Sequence, residues 1–135
     1  MLTESARIRL QQEPVIWFTT VRHDGQPQTS VVWFLLEGDE IVMYSLADTA
    51  RVRNVRSNPR VALNLDGNGQ GGAVVSLEGT ARIDAKAPRA SQHPAYVGKY
   101  LEYMARNDWF AGPLQLPVSD CDPHHHRQGP CLVIP

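Results

Sequence analysis

Cysteine is scarce in this chain: Cys121 and Cys131 are the only two in 135 residues, and both lie near its end. They are too few and too clustered for a disulfide framework, so the fold must rest on a hydrophobic core, and both are expected to be reduced. Charge of one sign is also missing. Thirteen Lys and Arg against fourteen Asp and Glu leave a formal net charge of -1, which argues against general attraction to nucleic acid or an anionic membrane. No apolar run approaches the roughly 20 residues of a membrane span. The first residues lack the basic-then-apolar order of a secretion signal, so the expected location is the cytoplasm. What is present is the length of one domain, enough to bury a real core without staples.

Periodicity divides that length into elements. Leu2, Ala6 and Leu10 recur every four residues, with Thr3 placed to cap and Pro14 to stop, which predicts a short amphipathic helix over 2–12. Val15 to Val21 is β-branched and aromatic, and the turn His23-Asp24-Gly25 sends the chain back along a second strand, Gln28 to Leu36. Both faces of that second strand are largely apolar, Thr29, Val31, Trp33 and Leu35 on one and Ser30, Val32, Phe34 and Leu36 on the other. Each face therefore needs a cover. Ile41 to Ser45 and Val61 to Leu65 read as further strands. Ala73 to Ile83 reads as a long half-exposed strand in which Gly79 marks a bend. Pro88 to Asn107 is helical in character, split near His93-Pro94, with Tyr96, Tyr100 and Tyr103 as an aromatic stripe of the kind that packs a core.

The chemistry concentrates between Tyr44 and Pro59. Asp48 or Thr49 can cap a helix over Ala50 to Ser57, and Asn58-Pro59 ends it. Val52 and Val55 can face a core while Arg53 and Arg56 share another side. Arg51 sits in the first turn, where the helix end already carries partial positive charge. One reading is a solvated basic helix. The other is a phosphate cradle of open N–H groups, a Thr hydroxyl and a guanidinium fork.

Other motifs carry less. Gly67, Gly69 and Gly72 match G-x-G-x-x-G but lie between two strands, without the helix N-terminus that the dinucleotide mechanism needs. His124, His125 and His126 with Cys121 and Cys131 offer metal-ligand types at spacings that match no standard zinc site, so no metal is expected. His23 belongs to an exposed turn, no nucleophile-elbow context supports a triad, and no catalytic residue can be named.

The series WFTTVRHDGQPQTSVVWF, IVMYS, TARVRNVRSNPRVALN and VVSLEGTARI resembles the pyridoxamine 5'-phosphate oxidase-like split β-barrel superfamily. More narrowly it is similar to the actinobacterial branch that uses the deazaflavin coenzyme F420. The resemblance implies a mainly β fold with short helices, a six-stranded Greek-key split β-barrel that forms a homodimer with the cofactor between subunits. It implies an F420-dependent oxidoreductase that transfers a hydride to a small organic substrate. The alternatives are an FMN-dependent oxidoreductase and a non-catalytic flavin- or F420-binding protein. Carried over residue by residue, it places Arg51, Thr49 and Asn54 on the cofactor phosphate. Ser30, Val31, Val32 and Trp33 would lie along the flat ring, and Ser45 and Leu46 on its far side. No nucleic-acid or membrane partner is implied.

The resemblance fades in the tail. Prolines at 113, 117, 123, 130 and 135 interrupt the pattern, and no clean sixth strand can be read. Residues 1–112 are expected to form the cofactor-binding domain and 113–135 an atypical tail. With allowed codons, a one-nucleotide frame change turns His-His-His-Arg-Gln-Gly into Thr-Thr-Thr-Val-Arg-Gly, similar to the family's last strand. On that reading the tail is out of frame, is irregular or weakly packed, and leaves the barrel's closing edge unpaired.

Overall fold

The computed structural model describes residues 2–45, 48–84, 92–106 and 131–134. The chain opens with helix α1, Glu4–Gln12, capped as expected by Thr3, whose hydroxyl accepts the Ala6 N–H at 3.3 Å. Strand β1, Val15–Val21, pairs antiparallel with β2, Pro27–Trp33, through the Asp24-Gly25 turn. After β3, Leu35–Glu37, and β4, Glu40–Tyr44, comes helix α2, Ala50–Ser57. Strand β5, Arg60–Asn64, returns to lie beside β1, and β6, Ser76–Thr80, pairs with β5. The last elements described are β7, Arg82–Asp84, α3, Pro94–Arg106, and β8, Cys131–Ile134.

These strands make two four-stranded antiparallel sheets, ordered β2-β1-β5-β6 and β3-β4-β8-β7. Phe34 alone separates β2 from β3, and Ala81 alone separates β6 from β7. Two bent segments therefore pass from one sheet to the other, and six stretches of chain surround one core. The ladders stop at the two corners, so the sheets do not close into a single hydrogen-bonded barrel; this is the split-barrel arrangement. Leu10, Ile16, Phe18, Phe34, Met43, Leu63 and Ile134 fill the space between the sheets, each no more than 2% exposed.

Three expectations need correction. The segment Gln28 to Leu36 is two strands, because at Phe34 the main chain leaves its ladder: its N–H donates to the Tyr100 hydroxyl at 2.6 Å, and its carbonyl accepts from Lys99 Nζ at 2.8 Å. The break also inverts the alternation, since Phe34 and Leu35 are both buried, and a one-residue change of phase moves every later side chain to the other face. The second bend falls at Ala81 and not at Gly79, which stays paired with Val61. The third correction concerns the closing edge. Residues 131–134 form β8, paired with both β4 and β7, and Ile134 is 2% exposed. Four apolar residues between Pro130 and Pro135 are too short for alternation to register, yet long enough to bridge two ladders. The rest of the tail, including Cys121 and His124 to His126, lies outside the described residues.

Helix α3 supplies the corner's partners. His93 Nδ1 accepts the Tyr96 N–H at 3.3 Å where α3 begins; the part of the expected helix at 88–91, before the predicted split, lies outside the described residues. Tyr96 and Tyr100 are buried, as the aromatic stripe implied. The Tyr100 ring stacks on Trp33 at 3.9 Å with 6° between planes.

Candidate functional site

Helix α2 is short because Pro59 cannot continue it, and it is held down by the side that was expected to be apolar: Val52 and Val55 are buried. Thr49 takes the N-cap position in extended backbone, but its hydroxyl does not cap the helix. It hydrogen-bonds Ser45 Oγ at 2.9 Å. The first-turn amides consequently have no side-chain acceptor from Thr49, which is the condition under which a helix start attracts an anion.

Beneath that turn lies a cavity of about 210 Å³ lined by Thr20, Gln28, Thr29, Ser30, Thr49, Ala50, Arg51 and Asn54. Two walls oppose each other there, the β1–β2 hairpin on one side and the start of α2 on the other. Asn54 ties them together. Its Nδ2 donates to Thr20 Oγ1 at 2.9 Å and to Gln28 Oε1 at 2.8 Å, and the residue is 5% exposed. A buried amide with both hydrogens used locks the helix to the hairpin.

Arg51 is the charge in the cavity. It is half-buried, and burial pulls its pKa below the ordinary arginine value. Among the described residues no carboxylate forms a salt bridge with it. A partly desolvated guanidinium without a counter-charge, beside a helix start, is a strong electrostatic demand for an anion.

The residues singled out from sequence divide into groups. Ser30, Thr49, Arg51 and Asn54 line one cavity, and Ser45 reaches it through Thr49. Val31 points outward and is 47% exposed. Val32 is buried in the core and the Trp33 ring is stacked on Tyr100, so these two side chains serve packing within the chain. Leu46 lies outside the described residues. Thr20, Gln28, Thr29 and Ala50 were not foreseen. Thr20 had a legible signal: it is a hydroxyl on the same strand face as Ile16 and Phe18, an inward position where a polar side chain demands a partner. Among the described residues no three His, Cys, Asp or Glu side chains gather as a metal site.

Residues 2–113 match the family model for pyridoxamine 5'-phosphate oxidase. Among solved structures, general stress protein 26 from Bacillus anthracis is similar at a TM-score of 0.63 and 18% identity, covering 98% of this chain and 86% of that one. A protein described as an F420 reductase matches at a TM-score of 0.56 and 22% identity, covering 98% and 92%. An FAD-binding protein from Mesorhizobium loti matches at a TM-score of 0.59 and 17% identity, covering 99% and 88%. At such identities the likeness is one of fold.

Proposed function

Because the chain belongs to the pyridoxamine 5'-phosphate oxidase family, we propose that it is an oxidoreductase with a flavin-type cofactor, and more narrowly one that uses F420 to reduce a small organic substrate. The observation that carries the reading is Arg51, half-buried and without a carboxylate partner among the described residues, inside a cavity at the start of α2. The residues present suit a phosphate ester: a guanidinium fork, the Ser30 and Thr49 hydroxyls, and main-chain N–H groups of the first helical turn. The narrower choice of F420 is supported by the sequence resemblance and by the similar protein described as an F420 reductase.

When bound, the cofactor would carry the hydride chemistry. The chain's own residues bind and orient. Arg51 supplies the charge that anchors one end, and Asn54 keeps Thr20 and Gln28 in place around it. Strand β2 is at the edge of its sheet, so one side of its main chain from Ser30 to Trp33 lies outside the β1 ladder, next to the exposed Val31 side chain. That edge offers main-chain groups and one apolar surface to a planar ring. No side chain is assigned as a proton donor.

A homodimer in the cytoplasm completes the proposal. The Thr29 and Val31 face of β2, with Trp17 opposite Val31, is the apolar surface that a second copy would cover. The test is a calorimetric titration of the pure protein with F420 and with FMN, followed by absorbance of the reduced complex on adding candidate acceptors. Tight binding of F420 and its reoxidation by an acceptor supports the reading. Preference for FMN transfers the proposal to a flavin enzyme, and binding without turnover by any acceptor makes the chain a cofactor carrier. Failure to bind either sinks it.

A further inference from the structure

Between β5 and β6 the chain runs Asp66-Gly67-Asn68-Gly69-Gln70-Gly71-Gly72, the glycine-rich stretch that the cofactor reading leaves unused. Its geometry is organised on one side chain. Asn68 Oδ1 accepts the N–H of Gln70 at 2.8 Å and the N–H of Gly72 at 2.9 Å, while the Asn68 N–H donates to the Gly72 carbonyl at 3.0 Å. Two main-chain N–H groups on one carbonyl oxygen are the arrangement that stabilises negative charge developing there. The nucleophile that could create that charge is adjacent. Gly69 has φ +82° and no side chain to shield its nitrogen. Gly72 is required for the arrangement: a Cβ on it would come within 2.5 Å of Asn68 Nδ2.

We propose that Asn68 is a self-modification site, where the folded loop promotes its own deamidation. The Gly69 main-chain nitrogen gives up its proton to solvent and bonds to Asn68 Cγ. The charge formed on Oδ1 is held by the Gln70 and Gly72 N–H groups. The Cγ–Nδ2 bond then breaks, Nδ2 takes a proton and leaves as ammonia, and a five-membered succinimide remains. Water opens the ring at either carbonyl, giving aspartate or isoaspartate at position 68. No oxidation or reduction takes place, and water is the only co-reactant.

The product has a structural target. Arg9 of α1 donates to the carbonyls at both ends of this loop, Asp66 at 2.6 Å and Ala73, and Trp17 Nε1 donates to Asp66 Oδ1 at 2.7 Å. Isoaspartate adds a methylene to the main chain between those anchors and puts a new carboxylate two residues along the chain from Asp66. The two Arg9 acceptors then no longer share one spacing, and α1 loosens from the barrel as the molecule ages.

The experiment follows the full chain at mildly alkaline pH by peptide mass spectrometry, counting the gain of one mass unit at residue 68, natively folded and unfolded in urea. The folded chain is expected to react about tenfold faster, a modest share of what two oxyanion donors supply in an enclosed enzyme site. An equal or slower rate in the folded chain overturns the proposal. Gly72→Ala, which displaces Asn68, and Gln70→Pro, which deletes one of the two donors, should each bring the folded rate down to the unfolded one. If Gly72→Ala does not fold, Gln70→Pro alone decides, and an unchanged folded rate in it counts against the mechanism.

Discussion

Lys99 Nζ lies 2.8 Å from the main-chain oxygen of Phe34 and 3.6 Å from the centroid of the same residue's ring. One ammonium thus serves the carbonyl that the strand break at Phe34 removes from its ladder, and sits on an aromatic face while doing so. The corner that joins the two sheets is therefore a polar contact made from helix α3, and its charge state matters to the fold.

The first prediction concerns that charge. Burial pushes the Lys99 pKa down to about 7, against a smaller raising influence from Glu13. The unfolded chain keeps this proton up to the ordinary value of 10.5. Between those limits the unfolded state binds more protons, so stability gains from Lys99 as pH rises through that window. Tyr100 works the other way. Burial raises its pKa, so its contribution is intact below the ordinary value of 10.0 and is lost above it. Urea midpoints should climb through the mildly alkaline range and turn over near pH 10.0, and Lys99→Met should flatten the climb. Midpoints in the unaltered chain that fall steadily from neutrality would exclude this role for Lys99.

Arg51→Ala should weaken cofactor binding by about 1.5 to 3 kcal/mol, the range for a hydrogen bond to a charged group. Arg56→Ala should change it far less, because Arg56 is exposed at the far end of α2 and does not line the cavity. Equal losses in a calorimetric titration would show that the helix attracts the cofactor by its general charge and not through a site.

Val31→Glu should convert a dimer into a monomer. Val31 and Trp17 are register partners on the outward face of their sheet, 47% and 37% exposed, and the Thr19 and Thr29 hydroxyls beside them bond each other at 2.8 Å. An apolar pair flanked by a satisfied polar pair suits a buried interface. Sedimentation at micromolar concentration decides, and an unaltered chain that sediments as a monomer with cofactor bound would remove the dimer from the proposal.

Ile134→Asp should cost about 3 kcal/mol or more, since it puts a carboxylate where a β-branched side chain is 2% exposed in the core. Thermal unfolding measures it. A loss within half a kilocalorie of wild type would mean that β8 contributes little. The out-of-frame origin proposed for the tail from Leu114 onward has its own check in the coding DNA, whose shifted frame should encode a β-rich segment ending near Val-Arg-Gly.

Local pattern was sufficient for much of this molecule. The four-residue spacing of Leu2, Ala6 and Leu10, the hairpin turn at Asp24-Gly25 and the stop at Asn58-Pro59 each depend on neighbours in the chain, so α1, β1 and α2 were legible from sequence. The cavity at the start of α2 was half legible for the same reason: Thr49 and Arg51 announce a helix start with a misplaced positive charge. Its other wall was not, because Thr20 and Gln28 reach Asn54 across 34 and 26 residues of chain. Only the tertiary structure could decide that contact, and it also decided both corners. Phe34 leaves its ladder because Tyr100 and Lys99, more than 60 residues later, supply the bonds it gives up. Ala81, likewise, donates its N–H to the Pro59 carbonyl at 2.8 Å. Strand β8 makes the same point in its shortest form. Four residues have too little pattern to declare themselves, and they become a strand because β4 and β7 already present two open edges for them to pair with.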